Sequence, residues 1–62
     1  MATVAVYVFD SIEEAQHAMD KIYNNIGSSG CFRTGNEVHI ESSCSDPSQA
    51  SKICRACGGS SR

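Results

Sequence analysis

The stretch Thr3-Val4-Ala5-Val6-Tyr7-Val8-Phe9-Asp10-Ser11-Ile12-Glu13-Glu14 decides the fold, because a β-former run passes into a capped helix at Asp10 and Ser11. β-Branched and aromatic side chains suit a pleated, half-buried surface, so residues 3–9 read as a strand. Its side chains alternate: Val4, Val6 and Val8 point one way, and Ala5, Tyr7 and Phe9 the other. Asp10 ends the run. Ser11 with Glu14 three residues later is the capping-box pattern, in which side chains satisfy the free N–H groups of a helix start. Ile12, Ala15, Met19, Ile22 and Ile26 then recur at three- or four-residue intervals, which predicts one helical stripe facing a core. Glu13, His17 and Lys21 lie four apart on another, solvated face. Asn24 and Asn25 weaken the helix end, and Gly27 offers a left-handed cap.

Outward from that unit, Ser28-Ser29-Gly30 reads as a turn, followed by two short strands, Cys31 to Arg33 and Glu37 to Glu41. A three-residue loop, Thr34-Gly35-Asn36, places Arg33 opposite Glu37 and Phe32 opposite Val38. Phe32, Val38 and Ile40 then share one face, and Arg33, Glu37, His39 and Glu41 the other. A second helix starts with Asp46 as N-cap, Pro47 at its first position and Gln49 at its third. It runs to about Cys57 and stops at Gly58-Gly59.

These elements predict an α+β domain over residues 1–59, with residues 60–62 as a frayed C-terminal tail. The architecture expected is a two-layer β-α-β-β-α sandwich, a three-stranded sheet with both helices on one face. It resembles a ferredoxin-like split β-α-β unit lacking its last strand, which puts the third strand in the centre and the first at an edge. The resemblance is to an architecture and carries no function.

Sixty-two residues allow one core. A chain of this length buries only about 60% of the surface its unfolded form exposes, so disulfides, a metal or self-association commonly supplement such folds. With 40% apolar and 19% charged residues the composition is that of an ordinary soluble globule. Net charge is −2, and the basic residues Lys21, Arg33, Lys52, Arg55 and Arg62 are scattered, so no stripe exists to neutralise a phosphate backbone. No nucleic-acid partner is expected. The apolar opening run lacks a basic leader and stops at Asp10, too short for a signal peptide or a membrane span. The expectation is a cytoplasmic chain with four free thiols; in an oxidising compartment four cysteines would allow three pairings.

Cys54-Arg55-Ala56-Cys57 invites chemistry. A redox Cys-x-x-Cys sits at a helix N-terminus, where the dipole stabilises the thiolate, whereas this one sits at the opposite end. A zinc site from His39, Cys44, Cys54 and Cys57 has suitable ligand types but irregular spacing. The helical period supplies the plainer reading: Ala50, Ile53, Cys54 and Cys57 fall at i, i+3, i+4 and i+7, the stripe the second helix needs for packing. Cys31 and Cys44 show no role in the sequence. His17 reads as solvated, and His39 as an outer-face residue beside acidic neighbours. No Ser-His-Asp order, glycine-rich phosphate loop or inward-facing carboxylate pair suggests an enzyme, and Glu13-Glu14 and Glu37/Glu41 are explained by helix capping and strand solvation.

The functional expectation is therefore a small non-catalytic protein-binding module without a cofactor. Its partner surface would be the face displaying Ala5, Tyr7 and Phe9 beside Arg33, Glu37, His39 and Glu41. An apolar first strand at the edge would also pair with another strand, in a homodimer or in a different protein. A compact, mildly acidic chain is similar in kind to the inhibitors, anti-CRISPR proteins included, with which phages and mobile elements block host enzymes. The alternative is a zinc- or thiol-dependent module using Cys44, Cys54, Cys57 and His39.

Overall fold

A computed structural model describes residues 2–27 and 29–62. Chain order is β1 (Thr3–Val8), α1 (Ile12–Ile26), β2 (Cys31–Thr34), β3 (Glu37–Glu41), α2 (Pro47–Ala56) and β4 (Ser60–Ser61). The strands form one antiparallel sheet in the order β2-β3-β1-β4, with both helices packed against it and against each other. The class is α+β, as expected, but the sheet has four strands and not three. After Gly58 and Gly59 the chain reverses, and Ser60 and Ser61 pair with Val8 and Tyr7. Arg62 N–H then donates to the Val6 carbonyl at 2.9 Å. Residues expected in a frayed tail thus complete the split β-α-β-β-α-β arrangement. β1 becomes an inner strand, so the expected sheet edge is not where β1 lies.

Both helices are N-capped by the residues the sequence predicts, although Glu14 Oε1 accepts from Ser11 Oγ at 3.3 Å and not from the Ser11 N–H of a reciprocal box. Ser11 Oγ accepts from the Glu14 N–H at 3.2 Å, and Asp46 Oδ1 from the Gln49 N–H at 3.1 Å, each satisfying a donor the helix cannot. Gly27 caps α1 with φ +83°. Of the expected Ser28–Gly30 turn, Ser28 lies outside the described residues.

The sheet faces differ from the expectation in two linked ways. Thr34, and not Arg33, stands opposite Glu37, because the hairpin turns through two residues, Gly35 and Asn36. Gly35 takes φ +59°, the positive value that a two-residue turn beginning with glycine requires. A one-residue slip exchanges faces. Phe32 therefore pairs with His39 and points outward, while Arg33 pairs with Val38 on the helix side. There its Nε donates to Gln16 Oε1 of α1 at 3.1 Å.

On β1 the inward stripe is Ala5, Tyr7 and Phe9, and not the valines. Tyr7 is 4% exposed and Phe9 2%, whereas Val4 is 54% exposed. Both stripes are apolar, so area decides: aromatic rings bury more surface than valine. The helices accommodate them with small residues, Ala15 and Ala18 from α1 and Ala50 from α2, all fully buried. The α1 stripe turns accordingly, burying Ala18 and leaving Ile12 exposed. Val38, Ile40, Ile22, Ile53, Cys54, Cys31 and Cys44 complete the core. Phe9 is further held by reciprocal bonds with the hairpin turn: its N–H donates to the Asn36 carbonyl at 2.8 Å, and Asn36 Nδ2 donates to the Phe9 carbonyl at 2.6 Å.

Candidate binding face

Helices cover only one side of the sheet. The other side is built by period-two alternation from Val4, Val6 and Val8 of β1, Phe32 of β2, and Glu37, His39 and Glu41 of β3. Its central rung runs Val6–His39–Phe32 across three strands. The Phe32 and His39 rings stack, centroids 4.8 Å apart and planes 17° from parallel. Val4 is the extra residue of a β-bulge, since Thr3 pairs with Glu41 and Ala5 with Ile40. The bulge breaks the alternation there, and Val4 is 54% exposed.

Charge on the face is ordered around Glu37. His39 Nε2 lies 3.1 Å from Glu37 Oε1, and Arg62 NH1 reaches from the far side of β1 to both Glu37 oxygens at 3.2 and 3.0 Å. Arg62 thus crosses β1 and walls a shallow groove whose other lining residues are Thr3, Val4, Ala5 and Val6. Glu41 joins no salt bridge among the described residues.

Of the seven residues expected on the partner face, Glu37, His39 and Glu41 are there. Ala5, Tyr7 and Phe9 are turned into the core layer, and Arg33 faces α1. Phe32 and the valines take their place. The signal for the exchange of Arg33 and Phe32 was the Gly35-Asn36 pair, which admits a two-residue turn as well as a longer loop; β1, apolar on both stripes, carried none.

The cysteines lie on the helix side of the sheet. Cys54 is fully buried on the α2 stripe, and Cys57 caps the helix half-buried. Burial pushes the Cys54 thiol up to about 11, with Cys57 adding to the effect, which opposes a reactive thiolate at this end of the helix. His39 stands across the sheet from Cys44 and Cys54, so the four residues considered for zinc do not converge. Among the described residues no group of three or more His, Cys, Asp or Glu side chains could hold a metal ion. Cys31 and Cys44, which carried no role in the sequence, meet in the core at an Sγ–Sγ distance of 3.5 Å.

No protein-family model, curated protein or solved structure matches the chain. Among the described residues no helix is long and apolar enough to cross a membrane.

Proposed function

We propose that this chain is a small protein-binding module acting through the open face of its sheet, without catalysis of its own. The observation that supports this reading most is the stacked Phe32–His39 pair beside Val4, Val6 and Val8. These are recognition groups, with an exposed aromatic among aliphatics and charges, the composition of an interface centre and rim. Stacking on Phe32 and the 3.1 Å contact with Glu37 orient the His39 ring, which lowers the side-chain freedom it would lose on docking.

The face carries two carboxylates, Glu37 and Glu41, and its one arginine is already engaged by Glu37. Such a surface repels phosphate and favours a protein partner with an apolar projection flanked by a basic side chain opposite Glu41. An inhibitor or adaptor docking on a larger enzyme complex is the form that the small size and acidic balance favour.

Affinity capture from the native host with wild-type and Phe32→Glu baits tests the proposal, with circular dichroism confirming that both are folded. Partners held by the wild type and lost by Phe32→Glu are the expected result. The same partners on both baits, or capture of nucleic acid alone, would overturn it.

A further inference from the structure

Cys31 opens β2, and Cys44 lies in the connection between β3 and α2. Two backbone bonds hold these segments together: Glu41 N–H donates to the Gly30 carbonyl at 2.7 Å, and Cys44 N–H to the Glu41 carbonyl at 3.0 Å. Gly30 lies so close beneath that a Cβ there would stand 2.3 Å from Cys44 N and 2.7 Å from the Ser43 carbonyl carbon. The two main chains are thus pressed together at the thiols, which themselves touch at 3.5 Å. A disulfide bond is about 2.05 Å long, so an approach of roughly 1.5 Å would join them.

We infer that Cys31 and Cys44 form a dithiol site that a small hydroperoxide converts into an intramolecular disulfide. The Cys31 S–H donates to Cys44 Sγ, and burial together with that hydrogen bond pushes Cys31 up to about 12. The two sulfurs end in the same bond whichever of them the peroxide meets first. Both thiols are buried, Cys31 8% and Cys44 6% exposed, and the connection that carries Cys44 exposes its neighbours Ser42, Ser43 and Ser45. The first sulfur gives up its proton and attacks the O–O bond of hydrogen peroxide; it becomes a sulfenic acid, and the hydroxide released takes that proton to form water. The second sulfur then displaces the hydroxyl from the first as the disulfide forms, and its proton leaves with that hydroxyl as water. Overall, two thiols and one peroxide give one disulfide and two waters, with two electrons passing from sulfur to the peroxide. The bond closes the β2–β3 hairpin, which carries Phe32 and His39, onto the entry to α2. A dithiol reductant reverses it.

The test is to expose the native protein to hydrogen peroxide, alkylate under denaturing conditions, and measure intact mass and peptide linkages. The expected product has lost two hydrogen atoms, carries a Cys31–Cys44 linkage, and alkylates only at Cys54 and Cys57. Its thermal midpoint rises by several degrees and returns on reduction. Cys54→Ala retains the linkage, and Cys44→Ser abolishes it. Four alkylated thiols after exposure, a sulfinic acid at Cys44 without a linkage, or a linkage through Cys54 or Cys57 would each overturn the inference. The wild-type measurement stands even where a variant fails to fold.

Discussion

The Phe9 ring packs against Gly59 so closely that a Cβ at this glycine would stand 2.7 Å from Phe9 Cζ and 2.9 Å from the Cys54 carbonyl oxygen. The contact ties the end of β1 to the link between α2 and β4. Gly59→Ala must displace either a buried ring or helix backbone, neither of which has room to yield. The expected loss is about 1–3 kcal/mol, read from urea denaturation midpoints.

The assignment of β1 faces has its own test. Phe9→Ala empties a buried site and is expected to cost about 3–5 kcal/mol, whereas Val4→Ala, on the open face, stays within about 0.5 kcal/mol. Comparable losses from the two would mean that the faces are reversed.

Alkaline stability follows from the buried thiols. Cys31 is raised from 9.0 to about 12 and Cys54 from 9.0 to about 11, in both cases by burial first. A raised folded pKa means that the folded state holds its proton more tightly than the unfolded one. The contribution is therefore fully present below about pH 9 and is lost as pH rises through 11 and 12. Thermal midpoints measured between pH 8 and pH 11 are expected to fall, and Cys54→Ala to flatten the upper part of that decline relative to its own value at pH 8.

Arg62 closes the β4 end by its bond to Val6 and its ion pair with Glu37. The pair is exposed on the arginine side, and solvent screens it. Arg62→Ala is expected to lower stability by less than about 1 kcal/mol at low salt, with the difference shrinking at 1 M salt. A larger, salt-independent loss would show that the side chain acts by packing.

Elements whose signals are local were legible. The Ser11 and Asp46 caps, the Gly27 stop and Pro47 at a helix start act on neighbouring backbone, so sequence neighbours suffice to read them. Cys54 on the α2 stripe follows equally from the helical period. The binding face was only half legible. Glu37, His39 and Glu41 alternate with Val38 and Ile40, a contrast of polar and apolar that leaves one choice. β1 offers no such contrast, because both of its stripes are apolar. β4 left no hydrophobic pattern at all, being two serines paired through backbone alone.

What the sequence by itself determined is the run of elements from the first strand through the second helix and the α+β class they make, because periodicity and capping are properties of adjacent residues. Three matters were left to the tertiary structure: which stripe of β1 is buried, where β1 sits in the sheet, and which cysteines meet. Each depends on distant partners. The rings of Tyr7 and Phe9 turn inward because helix alanines make room for them. Ser60 and Ser61 become a strand because β1 presents free backbone groups. Cys31 meets Cys44 because the hairpin register folds one segment onto the other.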